Sequence, residues 1–118
     1  SNGTKVPPGA TGQRVRVEQT IAQDSLAGML WPELGAGGRS LEVMAIRPDG
    51  MMEPMLWVER YQSQWRSPYV LREPVALPAG TRVIMTAYFD NPGQAAQAAE
   101  ARLAVTAWPA SRQTATRR

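Results

Sequence analysis

A chain of 118 residues carrying net charge +3 has the size of one domain, and a domain of that size buries about two-thirds of its unfolded surface without needing cross-links. It contains no cysteine and no histidine, which excludes disulfides, thiolate and imidazole metal ligands, cysteine nucleophiles, histidine-based triads and histidine pH switching. The basic excess is largely terminal, at Arg112, Arg117 and Arg118, which argues against nucleic-acid binding, and no run of about 18 apolar residues is present to span a membrane.

The opening, Ser1 to Lys5, is polar and reads as an N-terminal linker or expression scar, the seam of an excised domain. One β-sandwich domain is expected over residues 6–108. Arg14 to Ile21 alternates polar and apolar residues and predicts a half-buried strand with Val15, Val17 and Ile21 on related positions. Asp24 and Ser25 turn the chain, and Leu26 to Trp31 predicts a second strand that Pro32 ends. Gly35, Gly37 and Gly38 then make a loop. From Ser40 to Ile46 the alternation returns, with Leu41, Val43 and Ala45 on one face, before the turn at Pro48, Asp49 and Gly50.

Met51 to Val58 is the expected return strand of that hairpin, and Pro54, which has no N–H to give a ladder, predicts an edge or a bulge. Glu59 to Pro68 reads as a loop. Tyr69–Leu71 and Val75–Leu77 are two short extended pieces around Pro74. Arg82 to Phe89 is apolar on both faces and predicts a central strand, with Val83, Met85, Ala87 and Phe89 sharing one face. Over 94–101 a short helix and a loop both stay open, since the run of alanine and glutamine has high helix propensity after Asn91 and Pro92. Leu103, Val105 and Ala107 alternate as a closing strand, and 109–118 is expected to be a flexible tail. Seven to eight short strands with turns between them predict an all-β, antiparallel β-sandwich.

Several stretches taken together carry a resemblance: Trp31 to Ser40, Pro48-Asp49-Gly50, Trp65, Leu77-Pro78-Ala79-Gly80-Thr81 and Phe89-Asp90-Asn91. In this order they resemble the C-terminal domain of copper type II, ascorbate-dependent monooxygenases, the peptidylglycine hydroxylase family and its bacterial relatives. The resemblance implies a jelly-roll-like sandwich of two antiparallel sheets. In those relatives the loop after Pro32 commonly presents two histidines that bind copper, and those positions are Glu33 and Gly35 here. A third ligand, a methionine farther along, has no counterpart, because no methionine follows Met85. The resemblance therefore implies a scaffold whose metal site is lost, with no cofactor expected.

Three other groups bear on function. Met51, Met52 and Met55 cluster after a turn, and thioethers suit Cu(I), although strand spacing puts only Met51 and Met55 on one face, and packing by adaptable side chains is the simpler account. Trp57, Tyr61, Trp65 and Arg66 form an aromatic and basic group of the kind that carbohydrate or peptide faces use. Among Glu33, Glu42, Glu53, Glu59 and Asp90 no spacing selects a pair of catalytic carboxylates. The expected function is a non-catalytic accessory or interaction module of a larger secreted or periplasmic bacterial protein, with other domains of the parent, a protein or a carbohydrate as partner. The alternative is a copper-binding or redox enzyme fragment using the methionines or ligands from a missing domain.

Overall fold

Among the residues the structure describes, period-two alternation resolves into nine strands. The computed structural model describes residues 5–62 and 68–110, and every element named within them is a strand. The strands are β1 (Lys5–Val6), β2 (Gln13–Thr20), β3 (Ser25–Leu34), β4 (Gly38–Ile46), β5 (Met52–Val58), β6 (Tyr69–Leu77), β7 (Arg82–Phe89), β8 (Gln97–Ala98) and β9 (Ala101–Pro109). One sheet has the order β2-β7-β4-β5, a second the order β6-β3-β9, and β1 pairs with β8, all antiparallel. Among the seven longer strands only the β4–β5 hairpin stays within one sheet. The antiparallel β-sandwich is thus the architecture found, its seven longer strands and two two-residue strands making nine where seven to eight were expected.

The core lies between the sheets. Val15, Ala87 and Leu41 stand in one row across β2, β7 and β4, and Val17, Met85 and Val43 in the next. Ala27, Leu30, Leu34, Leu77 and Ala101 meet them from the other sheet. Phe89, Leu30 and Leu41 are fully buried, each such side chain contributing about 1.5–3 kcal/mol of burial free energy. As the pattern of Arg82 to Phe89 requires, β7 is central, flanked by β2 and β4. Arg47 ties the sheets polar-wise: its guanidinium pairs with Glu53 and donates to the Ala76 carbonyl of β6 at 3.0 and 3.1 Å.

Two expectations are corrected here, and one open alternative is decided. Pro32 does not end β3, which runs on to Leu34. Pro32 stands opposite Leu103 of β9, and the pairing continues through Glu33 and Leu34 to Arg102 and Ala101, so the missing N–H costs at most one bond of that ladder. The short helix over 94–101 does not form. Gln97 and Ala98 pair with Val6 and Lys5, and Ala99 and Ala101 are buried in the core, so tertiary burial overrides the helix propensity of the alanines. The two pieces around Pro74 form one irregular strand, β6, whose excursion faces a bulge between Ala27 and Met29. Pro54 behaves as its chemistry demands: β5 is an edge strand, with a register shift beside the Pro54–Met44 pair.

Thr81 closes the Leu77–Thr81 turn. Its backbone is fully used, N–H to the Pro78 carbonyl at 2.9 Å and carbonyl to the Ile21 N–H at 2.8 Å. Its hydroxyl is buried with no hydrogen-bond partner among the described residues. Thr81→Val, which keeps the shape and removes the orphan, is expected to raise stability by about 1 kcal/mol, read as a higher urea midpoint at unchanged slope. A lower midpoint would mean that the hydroxyl is satisfied.

Candidate functional site

The glycine loop joins β3 to β4 at one end of the sandwich and is held from two sides. The Gly35 N–H donates to the Glu100 carbonyl at 2.7 Å, and Gln97 Nε2 donates to the Ala36 carbonyl at 2.7 Å. From the other side the Asp90 N–H donates to the Gly37 carbonyl at 2.9 Å. The three glycines are there for space. A Cβ at position 35 would lie 3.0 Å from Glu100 Cβ, one at 37 would lie 2.4 Å from the Asp90 carbonyl oxygen, and one at 38 would lie 2.5 Å from Leu34 Cβ. Gly37 also has φ +87, in the left-handed region that side chains resist.

Phe89, Asp90 and Asn91 form the hub beneath this loop. Phe89 is buried in the core. Asp90 Oδ1 accepts from the Gly12 N–H at 2.7 Å, and its Oδ2 lies 3.6 Å from Arg39. Asn91 is buried; its Nδ2 donates to the carbonyls of Val6 and Ala95 at 2.9 Å each, and its Oδ1 accepts from the Gly93 N–H at 3.0 Å. The residues of this motif are therefore occupied in joining the N-terminal segment, the glycine loop and the approach to β8.

Of the two positions tied by resemblance to metal ligation, Glu33 is exposed on β3 opposite Arg102, and Gly35 packs against Glu100. Among the described residues no three carboxylates gather where they could hold a metal ion. The methionines do not converge either. Met55 is in the core, whereas Met51 and Met52 are exposed. The expected sharing of a face by Met51 and Met55 fails because Met51 belongs to the turn, its N–H held by Asp49 Oδ1 and its carbonyl by the Arg47 N–H.

Two residues of the predicted aromatic face, Trp57 and Tyr61, lie among the described residues. Trp57 is 62% exposed on β5, opposite Glu42. Tyr61 is half-buried: its N–H donates to the Arg39 carbonyl at 2.7 Å and its hydroxyl accepts from the Leu34 N–H at 3.2 Å, so its polar groups brace β3 and β4. Trp65 and Arg66 lie outside the described residues. Burial, with Tyr61 nearby, pushes the pKa of the Tyr69 phenol above its usual value.

Trp57 and Tyr61 do share one open hollow of about 670 Å³, with Tyr88, Arg39, Arg60, Ser40, Glu59 and Gly38 around it. Tyr88, Arg39 and Arg60 were not among the residues selected from sequence. The alternation of β7 placed Tyr88 on its outer face, but only the sheet order reveals that it stands across Ser40 from β5. On the opposite side of the sandwich, Trp31, Val70 and Trp108 are exposed on the outer face of the smaller sheet, with the Trp108 ring lying over Gly28, where a Cβ would come within 2.8 Å of it. No helix among the described residues is long and apolar enough to cross a membrane. No known family model matches the chain, and no curated protein sequence matches it.

Proposed function

We propose that this domain is a non-catalytic accessory or interaction module of a larger secreted or periplasmic bacterial protein, built on a scaffold similar to the C-terminal domain of the copper monooxygenases and lacking their metal site. The observation that supports this reading best is the packing of Gly35 on Glu100. A long ligating side chain at position 35 would have to displace Glu100, whose carbonyl closes the loop through the Gly35 N–H. Glu33, the other position of the pair, supplies one exposed carboxylate, far short of the three or four donors that copper or zinc takes from a protein.

The reading as a copper or redox fragment built on methionines loses its third donor, because Met55 faces the core while Met51 and Met52 face solvent. Partners of the module are other domains of its parent, a protein or a carbohydrate. The test is thermal. A metal that fills a native site at a hundred times its dissociation constant adds about 2.7 kcal/mol, a rise of about 10 °C or more in Tm for a domain of this size. Neither Cu(I), Cu(II) nor chelator is expected to move Tm, and elemental analysis of the purified domain is expected to find no stoichiometric copper. A copper-dependent rise in Tm with one bound ion per chain would overturn the proposal.

A further inference from the structure

We propose that the hollow between Trp57 and Tyr88 on the outer face of the larger sheet binds a neutral oligosaccharide. This rests on the interaction-module reading and gives it a ligand class. In register, Tyr88 stands beside Ser40 on one side of β4, and Trp57 stands beside Glu42 on the other side, two residues farther along. Two strand spacings of about 4.8 Å and two residues of rise set the ring anchors roughly 12 Å apart, a span comparable to two linked pyranose rings. Ser40, Arg39, Arg60 and Glu59 line the hollow with them.

The composition selects among ligands. Sugars present apolar C–H faces that stack on aromatic rings and hydroxyls that pair with planar charged groups, so an exposed indole, a phenol and guanidinium and carboxylate groups match both halves of the molecule. An acidic ligand is disfavoured because the charge is balanced: Arg39 lies against Asp90, and Arg60 shares the hollow with Glu59. A small apolar ligand needs an enclosed cavity that buries most of its surface, and this hollow is open. An extended peptide needs free main-chain donors and acceptors, whereas the β4 residues of the hollow are engaged, Gly38 and Ser40 pairing with Phe89 and Tyr88 and the Arg39 carbonyl accepting from the Tyr61 N–H.

The whole chain is titrated with cellohexaose, xylohexaose, maltohexaose, laminarihexaose and chitohexaose, and with polygalacturonate as the acidic comparison, by tryptophan fluorescence and calorimetry. At least one neutral hexasaccharide is expected to bind saturably, with an affinity indifferent to salt. Trp57→Ala, at an exposed position where the far-UV circular dichroism is expected to stay unchanged, should weaken that binding about tenfold or more. Arg60→Ala should weaken it severalfold. The proposal is overturned if none of the neutral sugars binds at millimolar concentration, if polygalacturonate alone binds and salt releases it, or if neither substitution alters the affinity. Copper uptake would sink the module reading without changing these titrations, and absent sugar binding would leave the thermal test untouched, so the two failures are told apart.

Discussion

Asn91→Leu is expected to cost about 3 kcal/mol of stability, a large share of what a domain of this size has. Leucine keeps the volume and removes the carboxamide, which leaves the Val6 and Ala95 carbonyls without their donor and the Gly93 N–H without its acceptor. Each group left unsatisfied in a buried setting costs about 1–3 kcal/mol. The Val6 carbonyl dominates, since Val6 is fully buried, while Gly93 and Ala95 are exposed and regain water. Equilibrium urea unfolding measures the loss, and hydrogen exchange should locate it: the Gly9 N–H, held at 2.7 Å by the Asn91 carbonyl, should lose protection with the β1–β8 pair. Asn91→Asp is expected to be worse than leucine at neutral pH, because a carboxylate would face two carbonyls. Burial and those carbonyls would raise its folded-state pKa above the unfolded value, so the penalty should shrink as pH falls through the folded-state pKa. A loss below about 1 kcal/mol for Asn91→Leu would place the organising role elsewhere.

Gly37→Ala is expected to cost about 3 kcal/mol, from two sources that a control separates. A residue with a Cβ in the left-handed region pays about 1–2 kcal/mol in strain. The new methyl group would also meet the Asp90 carbonyl oxygen, and Asp90 can yield only by lengthening its hydrogen bond to the Gly37 carbonyl and disturbing Asn91 behind it. Gly50 has φ +90 with nothing within 4 Å of the corresponding methyl, so Gly50→Ala should show the strain alone. Chemical denaturation of both variants tests the difference; equal losses would mean that the loop relaxes away from Asp90 at little cost.

Those two positions lie in stretches that the sequence marked, yet their roles were legible to different depths. Glycine at 37 reads as a loop residue from composition alone, because only it tolerates the backbone conformation. That Asp90 is the atom it must clear depends on how β7 ends against β4, which no local pattern encodes. Strand β7 was readable because its inward and outward rows are both apolar enough to state that it is covered on either side. The stretch 94–101 was not, since its local preference is helical and its burial is decided by Val6, almost ninety positions away along the chain. The same applies to the hollow. Trp57 stood out as an aromatic among polar residues, but its neighbour Tyr88 comes from β7, and adjacency across a sheet is fixed by register rather than by spacing. Tyr61 lines the same hollow and also braces β3 and β4 through hydrogen bonds to their main chains, a second role that residue type cannot announce.

Pro54 has a further effect at the outer boundary of the larger sheet. An imino acid in that strand interrupts the ribbon of donors that a foreign chain would copy, and the neighbouring shift in pairing twists what is left of it. Stacking of molecules side by side into fibrils along that boundary is thereby discouraged, a safeguard that becomes important wherever many copies are packed together at high local density.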